Sequence, residues 1–354
     1  MLCSSSTSRI APARAGGRGE HVSRASIGAF EATVIGVEDL SPSFRRITFG
    51  GDGLADFGTD GHPRDLRFKL IIPPGGLSAP EFDLLGFFAE QVEAGNPWYQ
   101  AWLQVDEDVR GAMRTYTVRE WRGDARELVV DMVLHIDDDG HSGPAATWAK
   151  NAEIGHRLHV IGPSRHHQGA YGGIEFDCGD ADQILLAGDE TAVPAIASIL
   201  DSLKDATVSG RAVIEVPSAD DILDLTTPEG FEVEWLPRGD ADFGALLEPA
   251  VREAVRAENK ALAEVGASVS VGGGVELEDV DIDEEILWDT PALLTQAAKS
   301  SSSDTEHGSR PFYAWIAGEA GPVKRLRRYL VQEVGVDRKQ VAFMGYWRQG
   351  KAEG

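Results

Sequence analysis

Short runs of β-branched and aromatic residues recur at 30–37, 44–49, 66–72, 115–119, 128–135 and 157–161, and polar positions interrupt most of them at intervals of two. That period places neighbouring side chains on opposite faces of a strand, and the Gly, Pro and Asp clusters between the runs supply turns. Six such strands in one block predict an antiparallel barrel. Between the last two runs, Ala145-Ala-Thr-Trp-Ala-Lys-Asn-Ala reads as a short helix.

After Gly179 the rhythm changes. Residues 184–187 form a bare apolar run, as expected of a parallel strand covered on both faces, and a helix is predicted over 192–204. Further strands are expected at 212–216, 231–236, 312–317 and 341–347, with helices near 243–263 and 322–335. Alternating strands and helices predict a doubly wound parallel α/β sheet. The expected fold class is therefore β plus α/β. A six-stranded antiparallel β-barrel domain occupies 26–170 and an α/β domain 180–350, with the boundary near 169–180. Residues 1–25 carry several arginines and serines but no apolar signal core, and are expected to form a flexible tail.

One stretch breaks the second domain. Eight acidic residues and no basic ones fall between Gly274 and Asp289, and Lys299-Ser-Ser-Ser-Ser-Asp follows. Residues of about 264–310 are expected to be an exposed insertion, kept extended by self-repulsion. A calcium loop is the sharper alternative, but the spacing does not match an EF-hand and the glycine at its turn is missing.

Charge narrows the function classes. Across 354 residues, 33 Lys and Arg oppose 58 Asp and Glu, a formal net charge of −25. Such a surface repels phosphate backbones and anionic lipid, which argues against nucleic-acid and membrane-surface partners. No run of 18 apolar residues exists to span a bilayer. Cys3 and Cys178 are too few for a disulfide framework or a four-ligand zinc site, which fits a reducing cytoplasm.

Three segments carry candidate chemistry. In Arg114-Thr-Tyr-Thr-Val-Arg119, strand alternation puts Arg114 and Tyr116 on one face and Thr115 and Thr117 on the other. A guanidinium so placed suits a pyrophosphate, and a phenol ring suits a flat ring system; an ordinary barrel strand with a solvated charged end explains the same residues. Gly143 and Pro144 open the short helix, whose first N–H groups suit an anion, although many helices start this way. Leu185-Leu-Ala-Gly-Asp-Glu-Thr-Ala-Val-Pro-Ala-Ile runs strand, turn, helix, the place where α/β sheets bind nucleotides. It lacks both common phosphate-loop patterns, and Asp189 and Glu190 also fit simple helix-capping carboxylates.

Taken in order, Arg-x-Tyr-Thr, Gly-Pro-Ala before Trp-Ala, and Gly-Asp-Glu-Thr-Ala-x-Pro-Ala-Ile resemble the siderophore-interacting protein family, a branch of the ferredoxin-reductase-like flavoproteins. Tyr313-Ala-Trp-Ile-Ala-Gly-Glu, Arg325-Leu-Arg-Arg and Gly345-Tyr-Trp-Arg-Gln-Gly extend the likeness, which covers about 28–350 apart from the acidic insertion. The resemblance implies a cytoplasmic FAD enzyme that takes electrons from NADH or NADPH and reduces ferric siderophores. It implies that Arg114 meets the FAD pyrophosphate while Tyr116 and Thr117 border the isoalloxazine. His135 matches a histidine that ends the next strand, with Ile136 where glycine is usual. Gly143, Pro144 and Ala145 match the FAD phosphate turn; Ala146 departs from the usual hydroxyl residue, and Thr147 stands next to it as a substitute. Asp189, Glu190, Thr191 and Ala192 match the turn facing the nicotinamide, and Gly318 with Glu319 matches a second such turn.

A ferric catecholate complex is anionic, so a local basic patch must overcome the global field. Lys69, Arg165 and Arg348 match the basic residues that serve this purpose in the family, and an ordinary solvated surface charge explains each of them as well. His166 and His167 are not expected to ligate metal, because neighbouring strand residues point apart. Glu215-Val-Pro-Ser-Ala-Asp-Asp offers no arginine for a 2′-phosphate, which leans towards NADH. The chain is expected to be a monomer. Two rivals keep the fold but change the role: a flavin or electron-transfer reductase with another acceptor, and a non-enzymatic siderophore binder.

Overall fold

The computed structural model describes residues 26–135, 142–167, 171–264, 277, 280–282, 285–294 and 311–351. Its first sheet contains β1 (Ile27–Asp39), β2 (Phe44–Gly50), β3 (Arg67–Ile72), β4 (Ala112–Thr117), β5 (Glu120–Arg122), β6 (Glu127–Val133) and β7 (Arg157–Pro163). The order is β4-β3-β7-β1-β2-β6-β5, and every pairing is antiparallel. Arg119 N, just past β4, donates to Val129 O of β6, so the sheet curls back on itself. Phe30, Ile47, Phe49, Phe68, Leu70 and Val130 fill the inside of the curl.

The expected barrel is thus a curled half-barrel of seven strands, not six. The extra strand, β5, is three residues long and polar at both ends, so it has no hydrophobic alternation to announce it. Arg122 pairs there with Glu120 and Glu127, while Trp121 turns inward against Phe57 at 4.9 Å. Sequence reading also passed over three helices between β3 and β4: α1 (Leu84–Glu93), α2 (Trp98–Leu103) and α3 (Glu107–Arg110). Leu84, Phe88 and Trp102 pack on Ile71, Met113 and Ile161, covering the outer face of the wall. The predicted short helix is α4 (Pro144–Lys150); it closes the mouth of the curl with Trp148 stacked on Phe49 at 6.2 Å.

The second sheet is built from β8 (Gln183–Gly188), β9 (Ser209–Val216), β10 (Phe231–Pro237), β11 (Trp288–Asp289), β12 (Phe312–Glu319) and β13 (Val341–Trp347). Its order is β10-β9-β8-β12-β13-β11, parallel except for β11. The bare apolar run in β8 serves two layers. Ile184 and Leu186 pack with α5 (Val193–Leu203), whereas Leu185 and Ala187 pack with α6 (Leu247–Glu264) and α7 (Ala320–Arg328). From β8 the chain steps outward through β9 and β10, then returns to lay β12 on the other side of β8. The carboxyl ends of β8 and β12 therefore flank the switch point, where the connections diverge and leave a crevice.

The exposed insertion expected over 264–310 extends too far. Leu287, Asp289 and Thr290 are buried, and β11 pairs with β13. Asp289 accepts from Arg327 and Arg338, and Thr290 Oγ1 donates to Glu175. The acidic run conceals this because its last residues are acid and apolar together, and only the basic partners about 40 residues later reveal the role. Glu276, Glu278, Asp279, Asp283, Glu284 and Lys299 lie outside the described residues.

The two sheets are tied together at several points. Asp65, just ahead of β3, accepts from Trp315 Nε1 of β12 and from the N–H groups of Glu175 and Phe176. Arg119 pairs with Asp201 of α5 at 2.6 Å, and Asp221 accepts from Ser41 Oγ and Ser43 N. Phe44 of β2 is fully buried in the core of the second sheet.

Candidate functional site

Strand β4 divides the site. Cross-strand register pairs Arg114 with Leu70 and Tyr116 with Phe68, so both lie on the inner face. Thr115 opposite Lys69 and Thr117 opposite Arg67 lie on the outer face. Arg114 is half-buried and donates to Met113 O at 2.8 Å. Most described arginines pair with a carboxylate in this acidic chain, but Arg114 pairs with none among the described residues. Thr117 is buried.

Helix α4 begins over the mouth of the same curl. Gly143 is exposed at its N-cap and makes no side-chain cap, and Pro144 occupies the first turn. Ala145 and Ala146 are buried beneath it. The Thr147 hydroxyl lies 2.6 Å from Ser142 Oγ. An uncapped helix start and an arginine without a carboxylate suit an elongated phosphate ligand, so FAD fits the residues present.

At the switch point Asp189 follows β8. Its Oδ1 accepts from Thr191 N at 2.9 Å and from Thr191 Oγ1; its Oδ2 accepts from Glu319 N at 2.6 Å and Trp347 Nε1 at 2.8 Å. Burial and the neighbouring Glu190 charge push its carboxyl up to about 6. Glu190 is equally buried, and burial alone would raise it. Hydrogen bonds from His135 and Arg238 outweigh that and hold it down at about 2. Arg238 grips both oxygens, at 2.8 and 2.9 Å, and His135 Nε2 lies 3.0 Å away. Glu319 caps α7 through Gly321 N and also accepts from Gln349 N. Ala192 is fully buried, and Gly318 has φ +141, a conformation side chains rarely adopt.

The carboxylates of Asp189, Glu190 and Glu319 thus point at the protein's own donors. They brace the turns at the switch point, which leaves backbone and rings as the groups open to a ligand there. Among those rings, Trp347 packs edge-on against Phe243 at 4.7 Å and lies 5.2 Å from His135; Arg238 covers Phe243 at 4.1 Å. Sequence reading missed Arg238 and Phe243, since each acts through a partner about 50 or 100 residues away. For Trp347 the signal was the Gly345-Tyr-Trp-Arg-Gln-Gly motif at the end of β13.

A cavity of about 450 Å³ opens on the outer face of β3 and β4. Arg67, Lys69, Thr115, Trp98, Tyr99 and Tyr171 form its walls. Lys69 Nζ donates to Thr115 Oγ1 at 2.5 Å. Arg67 pairs with Glu175 and lies 4.1 Å over the ring of Trp288. Burial raises the Tyr171 phenol to about 12, so it stays protonated. Of the three basic residues expected at one patch, Lys69 lies in this wall. Arg165 follows β7 and donates to Ala55 O, and Arg348 follows β13; neither lines the cavity. His166 pairs with Asp56 at 2.6 Å.

Comparison with known proteins gives two family matches. Residues 33–167 match the siderophore-interacting FAD-binding domain, and residues 181–350 match siderophore-interacting protein. An uncharacterized protein of Mycobacterium tuberculosis is 31% identical over 332 residues, covering 92% of this chain and 91% of that relative. The NADPH-dependent ferric-chelate reductase of Escherichia coli is 30% identical over 222 residues, covering 61% of this chain and 74% of its own length. Among solved structures, a siderophore utilization protein from T. fusca superposes with a TM-score of 0.57 at 25% identity, covering 93% and 95% of the two chains.

Proposed function

The chain belongs to the siderophore-interacting protein family, and on that premise we propose that it is an FAD-dependent reductase of ferric siderophores supplied by a nicotinamide dinucleotide. The observation that carries this reading is the continuity of the outer face of β4. Thr117, which the resemblance puts beside the flavin, shares that face with Thr115, which lines the cavity with Lys69.

FAD, when bound, supplies the conversion of a two-electron hydride donor into single electrons for iron. The protein's residues bind and orient. Arg114, with the α4 start at Gly143, Pro144, Ala145 and Thr147, holds the pyrophosphate, and Tyr116 and Thr117 border the flavin ring. The turns 189–192 and 318–319 shape the place for the nicotinamide, with His135 holding Glu190 from the barrel side. Lys69 draws an anionic chelate into the cavity against the net charge of −25, and Arg165 and Arg348 add positive charge on the approach. Hard oxygen donors grip Fe(III) more tightly than Fe(II), so reduction itself loosens the metal. No acid–base pair at the iron is required. The turn after β9 carries Ser218, Asp220 and Asp221 and no arginine, which favours NADH. The reaction is assigned to a monomer in the cytoplasm, where reduced nicotinamide is at hand.

Anaerobic stopped-flow tests the whole reading. The yellow protein should bleach with NADH faster than with NADPH, then recover its colour on mixing with a ferric chelate while a ferrous-specific dye traps iron. Failure of every ferric chelate to restore the colour would leave another acceptor; protein that takes up no FAD would be a binder only.

A further inference from the structure

An α/β sheet ordinarily holds a dinucleotide through two features at the carboxyl ends of its strands. A free helix N-terminus takes the pyrophosphate, and an acid ending the second strand takes a ribose. Here both are already occupied. The helices that follow parallel strands, α5, α6 and α7, each meet a carboxylate of the protein at their first N–H groups. Asp189 Oδ1 accepts from Thr191 N ahead of α5, and the opening residues of that helix, Val193, Pro194 and Ala195, are buried. Glu215, near the end of β9, is fully buried and accepts from Gly244 N, Leu246 N and Leu247 N at 2.8, 3.0 and 2.9 Å, which fills the start of α6. Glu319 Oε2 accepts from Gly321 N at 2.6 Å and closes the start of α7. Asp221, the buried acid past β9, accepts from Ser218 Oγ, Ser41 Oγ and Ser43 N, so it is turned to the barrel and not to a ribose. Arg238 has its fork committed to Glu190.

Resting on the reductase reading, we infer that the crevice recognises the reduced nicotinamide head of its donor and leaves the ADP half unheld, because Asp189, Glu215 and Glu319 occupy the three positions where phosphate would sit. A carboxylate at a helix start satisfies its N–H groups and its dipole, and repels a second anion. The pyrophosphate therefore meets negative charge in a chain whose net charge is −25. The 2′-phosphate of NADPH adds to the same penalty, in line with the preference for NADH. A dihydronicotinamide that carries no phosphate serves this crevice as well as the whole dinucleotide. Each donor loses one hydride to the flavin and leaves as the oxidised pyridinium.

Calorimetry with FAD-loaded protein reads the ADP half without redox chemistry. ADP-ribose is expected to give no binding up to about millimolar concentration. Anaerobic stopped-flow then compares NADH with dihydronicotinamide riboside, which has no phosphate. Their second-order bleaching rates should agree within about threefold, whereas a donor gripped by its ADP half would react at least about tenfold faster as the dinucleotide. Raising the ionic strength from about 0.02 to about 0.3 M should quicken NADH and leave the riboside unchanged, the sign of screened repulsion. Glu319→Gln keeps an acceptor at the start of α7 but removes its charge, so the ratio of the NADH rate to the riboside rate should rise severalfold. The wild-type donor series stands whether or not that variant folds. Micromolar ADP-ribose binding, a rate ratio above about tenfold in favour of NADH, or an unchanged ratio in folded Glu319→Gln overturns the inference. A protein that every dihydronicotinamide leaves yellow fails the reductase reading; one that is bleached and also binds ADP-ribose fails this inference alone.

Discussion

The carboxylate of Asp189 accepts the indole N–H of Trp347 at 2.8 Å, joining the end of the first α/β strand to the end of the last. That bond fastens one corner of a closed ring of contacts. Trp347 lies between His135 and Phe243, Arg238 covers Phe243, and Glu190 binds both Arg238 and His135. The ring ties the barrel, through His135, to the crevice at the switch point.

The Asp189–Trp347 bond should follow pH. Because burial and Glu190 raise the Asp189 carboxyl to about 6, the folded protein holds that proton more firmly than the unfolded chain. Its contribution to stability is full at pH below the ordinary carboxylate range and is lost as pH rises through about 6. Protonation removes the negative charge that strengthens the bonds from Glu319 N and Trp347 Nε1, so the indole bond weakens as Asp189 takes up its proton. The fluorescence difference between the native protein and Trp347→Phe should therefore titrate with a midpoint near 6, and Asp189→Asn should abolish the titration.

Glu190 carries the opposite sign. His135 and Arg238 hold its carboxylate at about 2 against the cost of burial, so it stabilises the fold above the ordinary carboxylate range. That stabilisation is lost as pH falls towards 2. Glu190→Gln should cost on the order of 2–3 kcal/mol at pH 7, where a buried guanidinium loses its counter-charge. The gap between native and variant should shrink below about pH 4, as denaturant titrations at pH 7, 5 and 3 would record.

Gly318→Ala addresses the same corner through the backbone. At φ +141 an added Cβ would lie 2.6 Å from Asp189 Oδ2. The substitution should cost about 1–3 kcal/mol and displace Asp189 from Trp347. The expected signature is a lowered thermal midpoint together with loss of the fluorescence titration near pH 6.

Arg114→Leu should strike FAD and little else. The guanidinium has no carboxylate partner among the described residues, so its removal leaves no buried acid uncompensated. Losing a charge-assisted bond to a phosphate costs about 1.5–3 kcal/mol, or roughly 10- to 100-fold in affinity. Calorimetric FAD binding should weaken by that factor while urea unfolding of the FAD-free protein stays within about 1 kcal/mol of native.

Sequence alone determined much of the architecture, because it is written in local periods. Alternation in β1 to β4, β6 and β7, the unbroken apolar run of β8, and Gly143-Pro144 ahead of α4 all depend on near neighbours. The identity of the β4 residues, with Arg114 and Thr117 on opposite faces, follows from the same two-residue period. Strand β5, the three helices on the outer wall and the role of Asp289 were not legible: their stability comes from Phe57, Ile71 and Arg327, which lie far away along the chain.

Tertiary structure decided what the charged residues do. As a string, Gly-Asp-Glu-Thr fits both a turn facing a nucleotide and a pair of helix-capping carboxylates, and Asp189 does cap the turn through Thr191 N. Folded, both acids turn inward, because a buried carboxylate must find donors and Trp347, Glu319, His135 and Arg238 supply them. Likewise Lys69 alone of the three expected basic residues lines the cavity, since cross-strand pairing, not spacing along the chain, sets which side chains share a face. Local pattern specifies elements. Burial and long-range partners assign them their chemistry.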